Sequence, residues 1–435
     1  MRFLVIDYEL MGLNIALRAQ AAGHHVILWQ PNHHNGEPYP IGNGMVEKCK
    51  DWKQCMDWAD LVLPTGNAKY AADFKPFFDK GYPLLGANME GAQLELDRGV
   101  GQAVLEKAGI DTLPYEIFSD YDKAIDYVKS TNQIYVSKPF SGDADKALSY
   151  VSKSPADMVF KLGYWKKVLK TKGKFLLQEF RPGVEFAVSG WFGPSGWVAL
   201  QEENWEEKKL MNDNLGVNTG EQGTTMRYTK NSKLFKQMLL PITDYLHSIK
   251  YVGNVDMNCI IDEHGDAWPL EFTTRLGWPA FNIQQALMKG DPIEWMADLL
   301  DGKDTFRASS DIVVGVVLTH GYHKTKEELL YGFPVYGVTS ANEPNIQWCQ
   351  VMWDKAPIMV GGKVKEAGTT VSAGAYICVT TGTGETVQNA AKAAYKTAWE
   401  LDYPSDRMFR TDISKRLKKH LPELQKHGYA MGVTY

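Results

Sequence analysis

Between residues 3 and 64, short apolar runs alternate with helical segments, and this most constrains what the chain can fold into. Phe3-Leu4-Val5-Ile6 reads as a strand, and Asn14 to Ala22 as a helix that Gly23 stops. Val26-Ile27-Leu28-Trp29 and Leu61-Val62-Leu63-Pro64 read as further strands. Strands separated by helices cannot pair as tight hairpins, so they form a parallel sheet. The first turn, Asp7-Tyr8-Glu9-Leu10-Met11-Gly12, holds one glycine and two acids. A pyrophosphate needs close backbone approach and no fixed negative charge, so dinucleotide binding is not expected. MRFLVIDYEL has an acid inside its apolar run and no small-residue cleavage site, which fits a first strand and not a signal peptide.

At about 150 residues per domain, 435 residues imply two to four domains. Forty-seven basic against 52 acidic side chains leave a net charge of −5. This argues against a broad basic face for duplex nucleic acid but leaves room for a local basic pocket. No apolar stretch approaches the ~20 residues that span a bilayer. Five cysteines without a CxxC pair argue against a disulfide framework or zinc site and for a reducing, cytoplasmic location. Downstream, a helix is expected over 93–108, and strands over 134–137, 175–178, 186–189 and 198–200. The polar stretch 201–230 reads as a long functional loop. A helix over 233–249, strands over 255–261, 267–272 and 312–318, and a helix over 386–401 complete the reading.

Four separated segments make sense together as a nucleotide site. Lys138 leaves an apolar strand beside the small-residue turn Ser141 to Lys146, where a lysine can reach phosphate oxygens. In Leu177 to Glu185 a strand stops and turns. Its backbone groups at Gln178, Glu179 and Phe180 can read an adenine edge, and Glu185 can take ribose hydroxyls. Gly216 to Gly223 puts three glycines beside Asn218 and Thr219, which suits close approach to an anion. The turn Asp262 to Asp266 lets 255–261 pair with 267–272 as a hairpin. Asp256 and Asn258 then share one face, as do Glu271 and Thr273, giving hard oxygen ligands of the kind that hold Mg²⁺ against phosphates. Arg275, a short step on, can pair with a phosphate or carboxylate. Each segment alone also reads structurally: a solvated lysine, a hairpin with an exposed glutamate, an irregular loop, or a strand face with an ion pair.

In their order, these segments resemble the ATP-grasp superfamily, and within it the phosphoribosylamine–glycine ligases. Gln93-Leu94-Glu95 resembles the family's A-Q-L-E-x-S-K, with Arg98 where its phosphate-binding lysine falls. Lys138 matches the lysine of V-I-K-A-D-G. Glu179-Phe180 through Gly183 and Glu185 resembles E-E-F-L-x-G-E-E. Asn218-Thr219-Gly220 with Gly223 resembles P-N-T-G-G-M-G, and Glu271-Phe272 with Arg275, Gly277 and Pro279 resembles E-F-N-x-R-F-G-D-P-E. The resemblance implies an α/β protein of the ATP-grasp fold. Its parts would be an N-terminal parallel-sheet domain (1–92), an ATP-grasp domain (93–305) with a mobile central subdomain at about 114–185, and a C-terminal mixed α/β domain (306–435). It implies an ADP-forming ligase in which a carboxylate, such as that of glycine, is activated as an acyl phosphate and joined to an amine. Arg275, Lys138 and Asn218 would be catalytic. Arg98, Lys138, Lys146, Gln178, Glu179, Phe180, Glu185, Thr219 and Gly220 would bind ATP. Glu271, Asp256, Asn258 and Thr273 would hold Mg²⁺, with Mn²⁺ as a substitute. The partners would be small molecules, with no membrane, and the chain a monomer or homodimer.

Departures fall mainly on the acceptor side. The family's G-N-G-G-R-E-H loop, associated with the ribose-phosphate acceptor, is Asp7 to Gly12 here, and its acids would repel a phosphate unless that group sat beside Arg18 or Lys69. The acid of G-D-P-E is Trp278, and the asparagine after E-F is Thr273. The subtype stays open between the family reaction itself and the same chemistry on a different amine, such as one on a modified nucleotide or base, and the altered loop tilts towards the second. An inactive nucleotide-binding module and a phosphotransferase that stops at the phosphorylated intermediate are the rival readings.

Overall fold

A computed structural model of the chain describes residues 1–33, 36–67, 70–86, 88–139, 149–169, 173–321, 330–404 and 406–435. Lys146 and Lys69 lie outside the described residues. The N-terminal strands β1 (Arg2–Ile6), β2 (His25–Trp29), β3 (Glu47–Lys48) and β4 (Leu61–Pro64) form the expected parallel sheet in the order β3-β2-β1-β4. Helix α1 (Leu13–Ala21) makes the first crossover. Phe3 and Val5 face the core that α1 covers, while Leu4 and Ile6 face Trp52, Met56 and Phe74. With both faces buried, β1 reads as an unbroken apolar run.

A second, antiparallel sheet comprises β5 (Tyr115–Phe118), β6 (Tyr135–Pro139), β7 (Tyr150–Val151) and β8 (Phe175–Glu179), ordered β5-β8-β6-β7. It has its own apolar cluster, in which Ala124 and Val128 of one helix and Met158, Leu162 and Trp165 of another meet Tyr135, Phe175 and Leu177.

The large sheet is built from β9 (Val184–Gly193), β10 (Gly196–Trp197) and β11 (Gln201–Glu206), then, past a hairpin of β12 (Lys209–Met211) and β13 (Leu215–Asn218), from β14 (Gly223–Thr229), β15 (Gly253–Ile261), β16 (Ala267–Thr273) and β17 (Ile312–His320). The sheet is completed by β19 (Ile346–Trp348), β22 (Tyr376–Gly384) and β23 (Arg407–Met408), while β18 (Tyr331–Pro334), β20 (Val351–Val360) and β21 (Lys363–Ala373) form a separate sheet. The order β16-β15-β9-β11-β14-β17-β22-β19 is antiparallel throughout, so hydrogen bonding is continuous across position 305. Among the described residues no helix is long and apolar enough to cross a membrane. None of the five cysteines is in a disulfide.

Several local expectations are corrected. Residues 198–200 connect β10 to β11 and are not a strand. The helix expected over 93–108 is broken at Asp97, whose carboxylate caps the second segment by accepting the N–H groups of Gly99 and Val100. The helix expected over 233–249 is three short helical pieces. The polar stretch 201–230 is not a loop but mostly four strands. Along β11, Glu202, Asn204 and Glu206 point into a polar cavity while Trp205, on the other face, stacks on Phe186. A strand facing a polar cavity carries no apolar alternation to announce it.

Candidate active site

Period-two geometry builds the site. One face of β16, β15, β9 and β11, adjacent in the sheet, points into a cavity of about 270 Å³. Glu271, Thr273 and Arg275 enter from β16 and its continuation, Asn254, Asp256 and Asn258 from β15, and Ser189 from β9. Glu202, Asn204, Glu206 and Lys208 enter from β11 and the residues just beyond it. The expected hairpin is present, with Asp256 opposite Thr273 and Asn258 opposite Glu271. Its turn is closed by Asp262, which accepts the N–H groups of His264 and Asp266.

The cavity mouth is cationic. Lys208, absent from the sequence-based assignment, lies 2.7 Å from Glu185, 2.9 Å from Glu206 and 3.9 Å from Glu271. Desolvation works against its charge, but Glu185, Glu206 and Glu271 outweigh it and hold the ammonium well above the ordinary lysine range. Arg98 reaches Glu271 at 3.4 Å and donates to the Pro139 carbonyl. Lys138 donates to the Leu270 carbonyl at 3.2 Å. Burial first, then the neighbouring Arg98 and Lys208 charges, pull Lys138 down to about 8, against Glu271 and Glu185. Four residues named from sequence, Arg98, Lys138, Glu185 and Glu271, are thus drawn together around one that was missed. The spacing Glu202-x-Asn204-x-Glu206-x-Lys208 was the signal that could have found it.

Arg275 donates to Glu95 at 3.1 Å, and Glu95 in turn accepts the N–H of Thr274. Desolvation opposes the Arg275 charge, yet Glu95 and then Glu9 hold its pKa above the usual value. Trp278 stands edge to face with Tyr376, ring centres 5.1 Å apart, and forms an aromatic wall against Gly220. Other expected residues are not brought in. Asn218 is exposed on the β12–β13 hairpin and does not line the cavity. Thr219 is turned back, bonding the Lys208 carbonyl through both its N–H and its hydroxyl. The N–H groups of Glu179 and Phe180 are already taken by the Pro114 and Ile134 carbonyls, so they are not spare donors, and the Gln178 side chain is buried.

The residues suit a magnesium ion. Among the described residues no three His, Cys, Asp or Glu side chains form a ready-made cage. Magnesium needs none, because it takes one or two carboxylates and fills its remaining positions with phosphate oxygens and water. Asp256 and Glu271, both lining the cavity, are carboxylates of that kind. Asn258 donates its amide N–H to Glu206 at 2.7 Å, while its buried Oδ1 accepts no hydrogen bond.

The β1–α1 turn is a filled anion site. Asp7 is fully buried and accepts the N–H groups of Met11 and Gly12, each at 2.9 Å, the Thr65 hydroxyl at 3.0 Å and the Gln30 amide at 3.0 Å. Burial still pushes its carboxyl above the usual range against those four donors. Glu9 instead opens onto the cavity that holds Arg275. Arg18 donates to the Gln285 carbonyl.

No family model matches the chain. It is 24% identical over 399 residues to a bifunctional purine biosynthetic protein of Pichia angusta, a match covering 88% of this chain and 49% of that protein; the chain thus spans about half of that relative. It is 25% identical over 359 residues to a phosphoribosylamine–glycine ligase of Ralstonia nicotianae, covering 78% of this chain and 80% of that one. A solved phosphoribosylamine–glycine ligase of Thermotoga maritima matches with a TM-score of 0.72 at 18% identity, over 95% of this chain and all of the other. The chain therefore has the ATP-grasp fold and resembles the phosphoribosylamine–glycine ligases over most of its length.

Proposed function

We propose that the chain is an ADP-forming carboxylate–amine ligase whose amine acceptor differs from phosphoribosylamine at the end that would carry the phosphate. The observation that carries the ligase reading is the gathering of Arg98, Lys138 and Lys208 around Glu271, beside Asp256 and Asn258. Three cations beside hard oxygen ligands suit a polyphosphate, whose transfer chemistry needs positioning and charge neutralisation and no covalent nucleophile. Glu271, Asp256 and Asn258, with Thr273 beside them, would hold a magnesium ion, which would supply charge neutralisation to the phosphates. Lys138 and Arg98 orient the phosphates. Glu185 sits where ribose hydroxyls can replace part of its contact with Lys208. Gly220 rims the phosphates. Arg275, held by Glu95, fixes the carboxylate that attacks the γ-phosphoryl group; ADP leaves, and the amine then displaces phosphate from the acyl carbon.

Asp7 supports the altered acceptor. An oxyanion at the β1–α1 turn would meet N–H groups that already bond a buried carboxylate, with Glu9 nearby. At ~4 Å two like charges cost about 1 kcal/mol in water and several times that in a partly buried site. A three-part division at 92/93 and 305/306, movement of the 114–185 lobe, a cytoplasmic location and a monomeric or homodimeric state belong to the same proposal. An ADP-release screen crossing amino acids with amines, phosphoribosylamine included, tests it. ADP release that needs both partners supports the ligase, release with the carboxylate alone supports a phosphotransferase, and no release with any pair defeats both.

A further inference from the structure

The cavity has a second chemistry at its floor, away from the cations of its mouth. Glu202, Asn204, Glu221 and Gln284 all line it and are each at most 4% exposed. Each has a buried oxygen without a hydrogen-bond partner: Glu202 Oε1, Asn204 Oδ1, Glu221 Oε1 and Gln284 Oε1. The donors near them are turned elsewhere: Ser189, Asn204 and Gln284 point to Glu202 Oε2, at 2.6, 3.4 and 3.5 Å, and Asn204 also donates to Asp256 at 3.3 Å. The other Glu202 oxygen and the Glu221 oxygen are left as bare acceptors. Unsatisfied buried acceptors are costly, and a group of them marks a place where a ligand brings the donors.

Charge narrows the ligand. Glu202, Glu206, Glu221 and Asp256 share this cavity, and Lys208 at the mouth already serves Glu185 and Glu206. A phosphate or carboxylate would be repelled from such a floor, and a neutral group would leave the acids uncompensated. A cation rich in N–H donors meets both needs, and the Trp278–Tyr376 wall offers ring faces that favour an organic cation over a bare metal ion. Glu221 also stands where the N-T-G-G-M-G pattern has its second glycine, so this acid belongs to the part of the chain that departs from the resemblance.

We propose that Glu202, Glu221, Asn204 and Gln284 form a subsite for an alkylammonium group of a substrate. The inference rests on the ligase reading for the word substrate, but not for the binding itself. The ammonium comes either from the amino acid whose carboxylate is activated or from a cationic amine acceptor.

The test is calorimetric titration of the full chain at pH 8 and fixed ionic strength, without ATP. The probes are glycine, acetate, 1,4-diaminobutane, tetramethylammonium and Mg²⁺. Glycine or diaminobutane should bind, acetate should not, and tetramethylammonium, which has no N–H, should bind at least about tenfold more weakly. Glu221→Gln and Glu202→Gln should each weaken the amine at least about tenfold. Both variants remove a buried charge, so they should melt no lower than the wild type, a result that a purely structural glutamate would not give. Binding of glycine assigns the ammonium to the amino acid; binding of diaminobutane alone assigns it to the acceptor. The proposal is overturned if neither amine binds, if neither variant weakens binding, or if only Mg²⁺ gives a heat that Glu221→Gln abolishes. ADP release is scored separately. Amine binding without ADP release from any substrate pair defeats the ligase reading and keeps the subsite; ADP release with unchanged amine affinity in both variants does the reverse.

Discussion

Asp7 Oδ1 lies 2.9 Å from the backbone nitrogen of Gly12, so the first βα turn of this protein carries its own anion. That turn is where a parallel sheet offers a phosphate its N–H groups. Here the side chain of the residue that follows the strand has taken them, and Gly12 is required because a Cβ there would come within 2.7 Å of Val5 Cγ1.

Asp7→Gly should vacate that site and leave buried donors at Met11, Gly12, Thr65 and Gln30. The expected loss is about 2–4 kcal/mol of stability. Millimolar phosphate or sulfate should restore part of the lost melting temperature in this variant and do little for the wild type. Equal anion effects on the two proteins in thermal denaturation would show that Asp7 does not fill an anion site.

Glu271→Ala should abolish ADP formation, by about 10³-fold or more in kcat, with an unchanged circular dichroism spectrum. Asp256→Ala combined with Asn258→Ala should instead raise the Mg²⁺ concentration needed for half-maximal rate. Near-normal turnover of Glu271→Ala at ordinary Mg²⁺ would remove the metal assignment.

Lys208→Met removes the cation that joins Glu185, Glu206 and Glu271. Because the lysine side chain is about one-third exposed, the expected cost is modest, about 1–3 kcal/mol at pH 8. High salt should shrink the deficit, because partly exposed ion pairs are screened. Urea unfolding of both proteins at low and high salt checks the sign, and an equal deficit at both would show that the lysine acts through packing alone. ATP affinity should fall as well, since one of three cations at the mouth is lost.

The pH dependence of stability follows from Glu202. Burial first, opposed by the Ser189 and Asn204 hydrogen bonds and aided by Glu206, raises its carboxyl from 4.5 to about 7. A group whose folded value lies above its unfolded one favours folding at low pH, and that contribution is lost as pH rises from about 4.5 through about 7. The unliganded protein should lose about 3 kcal/mol over that window through this group. Denaturant titrations in Glu202→Gln should show a flatter profile. A wild-type profile that rises across the same window would contradict the assignment.

Much of the fold was legible in the sequence because its signals are local. The βαβ unit shows itself in unbroken apolar runs, since β1 is buried on both faces. The hairpin of β15 and β16 shows itself in a five-residue turn and in polar residues at alternate positions, which fixed that Asp256 and Asn258 share one side. The order of Lys138, Glu185, Glu271 and Arg275 carried the resemblance to the ATP-grasp fold.

Only the tertiary structure decided what stands next to what. Residues 201–230 read as a loop because β11 faces a polar cavity and β13 is exposed, and a strand's partner, unlike its period, is not encoded in its own residues. The alternation of Glu202, Asn204, Glu206 and Lys208 hinted at one shared face, but Glu185 and Glu271, which also fix Lys208, come from β9 and β16. The sequence supplied two acids at the first turn, but burial and hydrogen bonding separated their roles: Asp7 closes an anion site, and Glu9 faces the cavity. Charge on a side chain is a property of sequence; whether that charge is solvated, paired or left waiting for a ligand depends on desolvation and on distances that only the folded chain sets.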